Sequence, residues 1–194
     1  MADSLQMLDL FSGLGGASSA MKERGWKVTT LDLDAGFNPD IVADIRDFSW
    51  EDGPLDLIWA SPPCEEFSRE FMPWCRTGKD PSMDLVTAAY RVIREADPRF
   101  WVIENTKGAV KYFMPLLGRP TYIANPIFLW GCFPPLQKLR LNMRKEHYSS
   151  TRAAERAMIP YELSLALAKS IESAFDFRRD INETASKSIE SHCR

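Results

Sequence analysis

The sequence predicts an α/β fold: a mostly parallel sheet with helices on both faces. Three observations lead there. Short apolar or β-branched runs alternate with helix-like stretches along most of the 194 residues, the pattern that parallel strands joined by helical crossovers produce. The clearest helical stretch places Val86, Ala89, Tyr90 and Ile93 at i, i+3, i+4 and i+7, on one face. The segments rich in glycine, proline and acid fall just after strand-like runs, where open parallel sheets bind their ligands.

The elements follow in order. Residues 6–11 (QMLDLF) read as a first strand, 12–16 as a glycine turn and 17–24 as a helix. The β-branched run 27–33 is a second strand, 41–43 a short third and 55–60 a fourth. The helix over 83–96 takes Asp80 as its cap and Pro81 in its first turn. Residues 100–103 form a fifth strand, and 122–130 a further one near the far edge. Pro160 opens a last helix with Leu163, Leu167 and Ile171 at four-residue steps. The chain thus reads as one domain over 1–175, followed by a polar tail, 176–194, expected to fray.

Composition narrows the function. A hydrophobic content of 45% is enough for a real core. No apolar run approaches the roughly 20 residues that span a bilayer, and the first residues lack a signal-peptide pattern. No membrane association and a cytoplasmic location are therefore expected. The four cysteines (Cys64, Cys75, Cys132, Cys193) form no C-x-x-C pair and only two histidines are present, so neither a metal site nor a disulfide framework is expected. Cys75 and Cys132 read as small buried hydrophobes, Cys193 as an exposed tail residue. Net charge is −3, yet between 137 and 156 six basic residues, Arg140 among them, face only Glu146 and Glu155. Such a strip is either a solvated surface or a phosphate contact.

Several strand ends carry chemistry. Phe11-Ser12-Gly13-Leu14-Gly15-Gly16 joins a strand to a helix, and its glycines allow a ligand close to the backbone. Asp32, or Asp34 beside it, is placed to accept from ribose hydroxyls. Asp44 is placed to accept from an adenine amino group, with Ile45 packing on the ring. Together they point to an adenosine-containing cofactor. Cys64 follows Pro62 and Pro63, which stiffen its loop, and Glu104 leaves an apolar strand, where a carboxyl needs a partner or a raised pKa. A thiol and a carboxyl at neighbouring strand ends suit covalent catalysis.

Together these residues resemble the cytosine-5 DNA methyltransferase family over about the first two-thirds of the chain and a short closing segment. Residues 9–16 (DLFSGLGG) are similar to the family's first motif, 63–68 (PCEEFS) to its Pro-Cys-x-x-Phe-Ser nucleophile loop, 104–106 (ENT) to its Glu-Asn-Val motif, and 159–163 (IPYEL) to its closing helix. The resemblance implies a Rossmann-like methyltransferase fold. It implies S-adenosyl-L-methionine as cofactor, contacted by Phe11, Ser12, Gly13, Leu14, Gly16, Asp32, Leu33, Asp44, Ile45 and Pro63. It also implies DNA as partner. Cys64 would attack C6 of a flipped-out cytosine while Glu104 bonds to N3 and the exocyclic amine. The loop 65–81, with Phe67, Phe71 and Trp74, would close over the base.

Two departures stand out. Where the family has Gln-x-Arg-x-Arg, residues 137–141 (QKLRL) offer a single arginine, Arg140, as the contact to the target base. Only twenty-two positions separate Gln137 from Ile159, too few for the family's target-recognition domain. Reading a DNA sequence takes several side chains at base edges. Relaxed specificity, a specificity-conferring protein partner, the same chemistry on RNA or a free pyrimidine nucleotide, or a non-catalytic binding module are the alternatives this leaves.

Overall fold

Strand β1 (Gln6–Leu10) is flanked by parallel partners, β2 (Lys27–Asp32) on one side and β4 (Leu57–Ala60) on the other. The computed structural model describes residues 4–69, 79–141, 155 and 157–192, with side chains as far as 177. Among the described residues, β3 (Ile41–Val42), β5 (Phe100–Thr106), β6 (Tyr122–Ala124) and β7 (Ile127–Cys132) complete a seven-stranded sheet in the order β3-β2-β1-β4-β5-β7-β6. The first five strands are parallel, and β7 and β6 are antiparallel.

Both faces of this sheet are covered, so β4 is apolar at every position rather than alternating. Leu8, Leu10, Ile58, Ala60 and Ile103 point to one side. There they meet α3 (Asp84–Ala96) through Val86, Ala89, Val92 and Ile93, and α4 (Val110–Leu117) through Phe113. Met7, Leu57, Trp59 and Val102 point to the other side. They meet α1 (Ser19–Glu23) through Met21 and α5 (Tyr161–His192) through Leu163, Leu167 and Ile171. Burying each of these last three side chains contributes about 1.5–3 kcal/mol relative to leaving it exposed, which brings a helix remote in sequence back to the sheet. The Arg24–Glu172 ion pair and the Trp26 Nε1–H to Glu172 bond (2.9 Å) sit at its rim.

The structure revises several local expectations. The strand expected over 122–130 is the hairpin β6–β7, because Asn125-Pro126 turns the chain. Strand β5 runs three residues further than expected, since β7 pairs with it through Thr106 after β4 has ended. The first helix is shorter than 17–24, and the last continues to His192 through the polar stretch expected to fray. The expected cap Asp80 lies outside α3. Ser82 Oγ accepts from Asp84 N (3.2 Å) instead, while Asp80 accepts from Tyr112 Oη (3.3 Å). Helix α4 was hidden in the sequence by Pro115 within it. Cys132, expected to be buried, is exposed at the end of β7. Cys75, Cys193 and most of the basic strip lie outside the described residues.

Candidate active site

The chain leaves β1 through a backward bend. Phe11 has φ 59°, a left-handed conformation uncommon for an aromatic residue, followed by Gly13 at 48° and Gly15 at 74°. Hydrogen bonds hold the bend: Ser12 N donates to Leu31 O (3.0 Å) and Gly15 N to Ser12 O (2.8 Å). Asp32 clasps it from the end of β2, its Oδ2 accepting from Gly13 N (2.8 Å) and its Oδ1 from Asp34 N (3.0 Å). An ionised carboxylate has about four lone-pair sites, so Asp32 keeps capacity for further donors. Beside it Leu14 and Leu33 are 50% and 66% exposed, and Val42, at the end of β3, 55%. A Cβ on Gly13 would meet nothing within 4 Å, so the turn faces open space.

Gly16 belongs to a different contact. A Cβ there would lie 2.7 Å from Ile159 O and 2.8 Å from Ile159 N. Its bare backbone admits the segment leading into α5. Gly16→Ala is expected to cost about 1–3 kcal/mol, since a backbone obstacle yields less readily than a side chain. A denaturant midpoint unchanged from that of the unaltered protein would refute this.

Two other cofactor candidates are placed differently from expectation. Asp44 is already engaged by Arg46, accepting from its backbone N (2.9 Å) and its guanidinium, which holds the carboxyl down at about 2. Ile45 is 3% exposed within the α3-side core, so it offers little surface for a ring. A competing local bond and core packing, neither visible in the strand pattern, account for both.

The nucleophile loop leaves β4 with Ser61 N donating to Leu10 O (3.2 Å). Pro62 is buried, Pro63 exposed, and Cys64 half-buried at the start of the short helix α2 (Glu65–Ser68). Phe67 anchors that helix in the core against Phe113 (ring centroids 5.1 Å apart) and Tyr112 (6.0 Å). It is therefore a fixed point of the loop and not part of a closing flap. Phe71 and Trp74 lie outside the described residues.

Register brings the loop to Glu104. In the β4–β5 ladder Ala60 is opposite Ile103, and one residue further the same offset sets Ser61 beside Glu104 and Pro62 beside Asn105. Asn105, fully buried on the opposite face of β5 from Glu104, donates from Nδ2 to Pro62 O (3.0 Å). This bond ties the cysteine loop to the glutamate strand. Sequence reasoning missed it, although a buried amide beside a strand-end acid always demands a partner.

Electrostatics couples the pair. Burial raises the Glu104 carboxyl to about 7, against a hydrogen bond from Ser61 that lowers it. Although Glu104 keeps some contact with solvent, it is set deep enough for desolvation to dominate. Burial also raises the Cys64 thiol, and the negative charge of Glu104 raises it further, while a bond with Ser68 opposes both. Two anions here would repel, so the resting site holds at least one proton. Arg140 is not drawn in: it is exposed, between Leu139 and Leu141, which pack against the α5-side core, and it makes no hydrogen bond or ion pair among the described residues.

Among the described residues, no helix is long and apolar enough to cross a membrane, and no group of three or more His, Cys, Asp or Glu could hold a metal.

Residues 5–112 match the C-5 cytosine-specific DNA methylase family. Over 114 residues the chain is 31% identical to the "Probable DNA (cytosine-5)-methyltransferase" of frog virus 3 (isolate Goorha), covering 52% of this chain and 53% of that protein. It is likewise 31% identical over 128 residues to the type II methyltransferase M.AquIA of Picosynechococcus sp. (strain ATCC 27264 / PCC 7002 / PR-6), covering 55% and 50%. The chain thus spans about half the length of the curated relatives it matches. A solved structure described as a "putative DNA modification methyltransferase" encoded within a prophage (E. coli) shares the fold, with a TM-score of 0.50 and 22% identity over 66% of this chain and 46% of that one. Since the match takes in more than half of the residues, from β1 past Cys64 and Glu104 into α4, the chain belongs to the C-5 cytosine-specific DNA methylase family.

Proposed function

We propose that residues 1–175 form a single catalytic domain that methylates C5 of cytosine in DNA through a covalent bond between Cys64 Sγ and C6. The observation that supports this most is the effect of the Glu104 charge on Cys64, the two residues lying on a loop and a strand that the β4–β5 register and the Asn105–Pro62 bond tie together. C5 of cytosine is a weak nucleophile, and addition of a thiolate at C6 converts the ring into an enamine that reacts there. A neutral Glu104 carboxyl matches the cytosine edge: its O–H donates to N3 and its carbonyl oxygen accepts from the exocyclic amine. With the proton on Glu104 the repulsion on Cys64 vanishes, so the thiolate forms more readily when the base is engaged. After methylation, loss of the C5 hydrogen as a proton lets the S–C6 bond break, and Cys64 is restored.

The residues around the glycine turn fit S-adenosyl-L-methionine. Asp32 has acceptor capacity for ribose hydroxyls, and Leu14, Leu33 and Val42 present apolar surface at the ends of β1, β2 and β3. Phe11, Ser12 and Gly13 shape the bend that faces this space, with Pro63 exposed on the neighbouring loop. When bound, this group supplies an activated methyl on a sulfonium. The partner is DNA, with Arg140 a candidate contact to the target base.

A duplex oligonucleotide containing 5-fluorocytosine tests this reading, because fluorine at C5 cannot leave as a proton and the thioether persists. An adduct stable to denaturant, dependent on S-adenosyl-L-methionine and mapping to the Cys64 peptide, is expected. Parallel tritium-transfer assays on single-stranded DNA, RNA and dCMP define the substrate. The absence of both adduct and transfer on DNA would overturn the proposal.

A further inference from the structure

Ser61 has no assigned role, yet it is tied down from every side. Its backbone N–H donates to Leu10 O (3.2 Å). Pro62 follows it, which biases Ser61 toward extended backbone. Its hydroxyl oxygen accepts from Trp59 Nε1–H at 2.7 Å, and Trp59 is fully buried. A serine hydroxyl carries one proton. With a lone pair already engaged by the indole, that proton is left to turn toward the Glu104 carboxyl, which the continued register sets beside Ser61 and which the Ser61 side chain holds below the value burial alone would give.

We propose that Ser61, oriented by Trp59, is the positioning residue of the Glu104 carboxyl. This inference rests on the catalytic reading of Glu104 above. A carboxyl that must offer an O–H to N3 and an oxygen to the exocyclic amine has to hold its plane against the cytosine edge. Ser61, just beyond β4 and braced by Trp59 within it, supplies that hold from one side, and Cys64 on the nucleophile loop feels the charge of the carboxyl. Glu65 in turn faces Cys64. The arrangement also tunes charge. A bond donated by Ser61 favours the ionised carboxylate and so restrains the upward pull of burial.

The test follows the Glu104 side-chain carbon by NMR in protein labelled with 13C-glutamate, the resonance being assigned by its loss in Glu104→Gln. In Ser61→Ala the titration midpoint is expected to rise by about one pH unit, and Ser61→Thr, which keeps the hydroxyl, is expected to restore it. Methyl transfer to duplex DNA is expected to fall about 10- to 100-fold in kcat, with KM for DNA and S-adenosyl-L-methionine nearly unchanged. The loss of activity at high pH moves upward with the carboxyl. Ser61→Ala also strands the Trp59 N–H, so the double variant Trp59→Phe/Ser61→Ala, which removes both groups, must show the same midpoint shift. An unmoved Glu104 midpoint in the alanine variant overturns the inference whatever the activity. Absence of transfer by the wild-type protein overturns the proposed function instead, leaving the NMR result to decide Ser61.

Discussion

Cys64→Ala is expected to lower methyl transfer to cytosine by roughly 10⁴-fold or more, the scale on which removal of a covalent nucleophile acts. No other described side chain can replace it: Cys132 lies exposed at the end of β7, and the hydroxyls of Ser61 and Ser68 are engaged with Glu104 and Cys64. The fold is expected to be indifferent to the change. Cys64 makes no side-chain capping bond to α2, and the loop is held by Phe67 and by the Asn105–Pro62 bond instead. Stability should move by no more than about 0.5 kcal/mol, and calorimetric binding of S-adenosyl-L-methionine should persist. Residual transfer within tenfold of the unaltered protein would remove Cys64 from the mechanism.

Asp9→Asn is expected to raise stability at pH 8 and leave it almost unchanged at pH 4. The Asp9 carboxyl, on the penultimate residue of β1, is 1% exposed and neither of its oxygens has a hydrogen-bond partner. The buried hydroxyl of Ser18 is nearby and equally unpartnered in geometry, a juxtaposition too imperfect to satisfy either group. Burial lifts this carboxyl from 3.8 to about 7, with the charge of Asp32 adding to the rise and Ser18 and Lys22 opposing it. A raised pKa means that the folded protein binds the proton more tightly than the unfolded chain. Its stabilising contribution is therefore complete below about pH 4 and is lost as pH rises to about 7 and beyond. At about 1.4 kcal/mol per unit, the loss is on the order of 4 kcal/mol. Glu104 adds a loss in the same sense over a similar window, so the whole protein should melt earlier at pH 8 than at pH 5. Asparagine does not titrate, and the gap between the variants should open with pH. Parallel denaturation curves at pH 4, 6 and 8 measure it, and a constant offset across that range would show that Asp9 is not the titrating group.

The class of the fold was readable in the chain because it depends on local patterns. The apolar runs in β1, β4 and β5, the i, i+3, i+4 face of α3, and the order of turns each report on their own neighbours, and a parallel sheet covered on both faces is what they jointly require. The family likeness was readable for the same reason, since short contiguous segments such as 9–16 and 63–68 carry it. Long-range relations were not readable. Gly16 looked like a ligand contact, and only the tertiary approach of Ile159 showed what needs its missing Cβ. Asp44 and Ile45 looked available, but Arg46 and the core had already engaged them. The hairpin β6–β7 depended on pairing with β5, which no local propensity encodes.

By itself, then, the chain determined which residue types stand at strand ends and what layered architecture they belong to, because periodicity and turn chemistry act over a few residues. Only the tertiary structure decided that the loop carrying Ser61, Pro62 and Cys64 is tied to the strand carrying Glu104 and Asn105, because strand register joins positions forty-three residues apart. It likewise decided which carboxyls are desolvated, since the pKa of Asp9 or Glu104 depends on everything packed around it rather than on its neighbours in sequence.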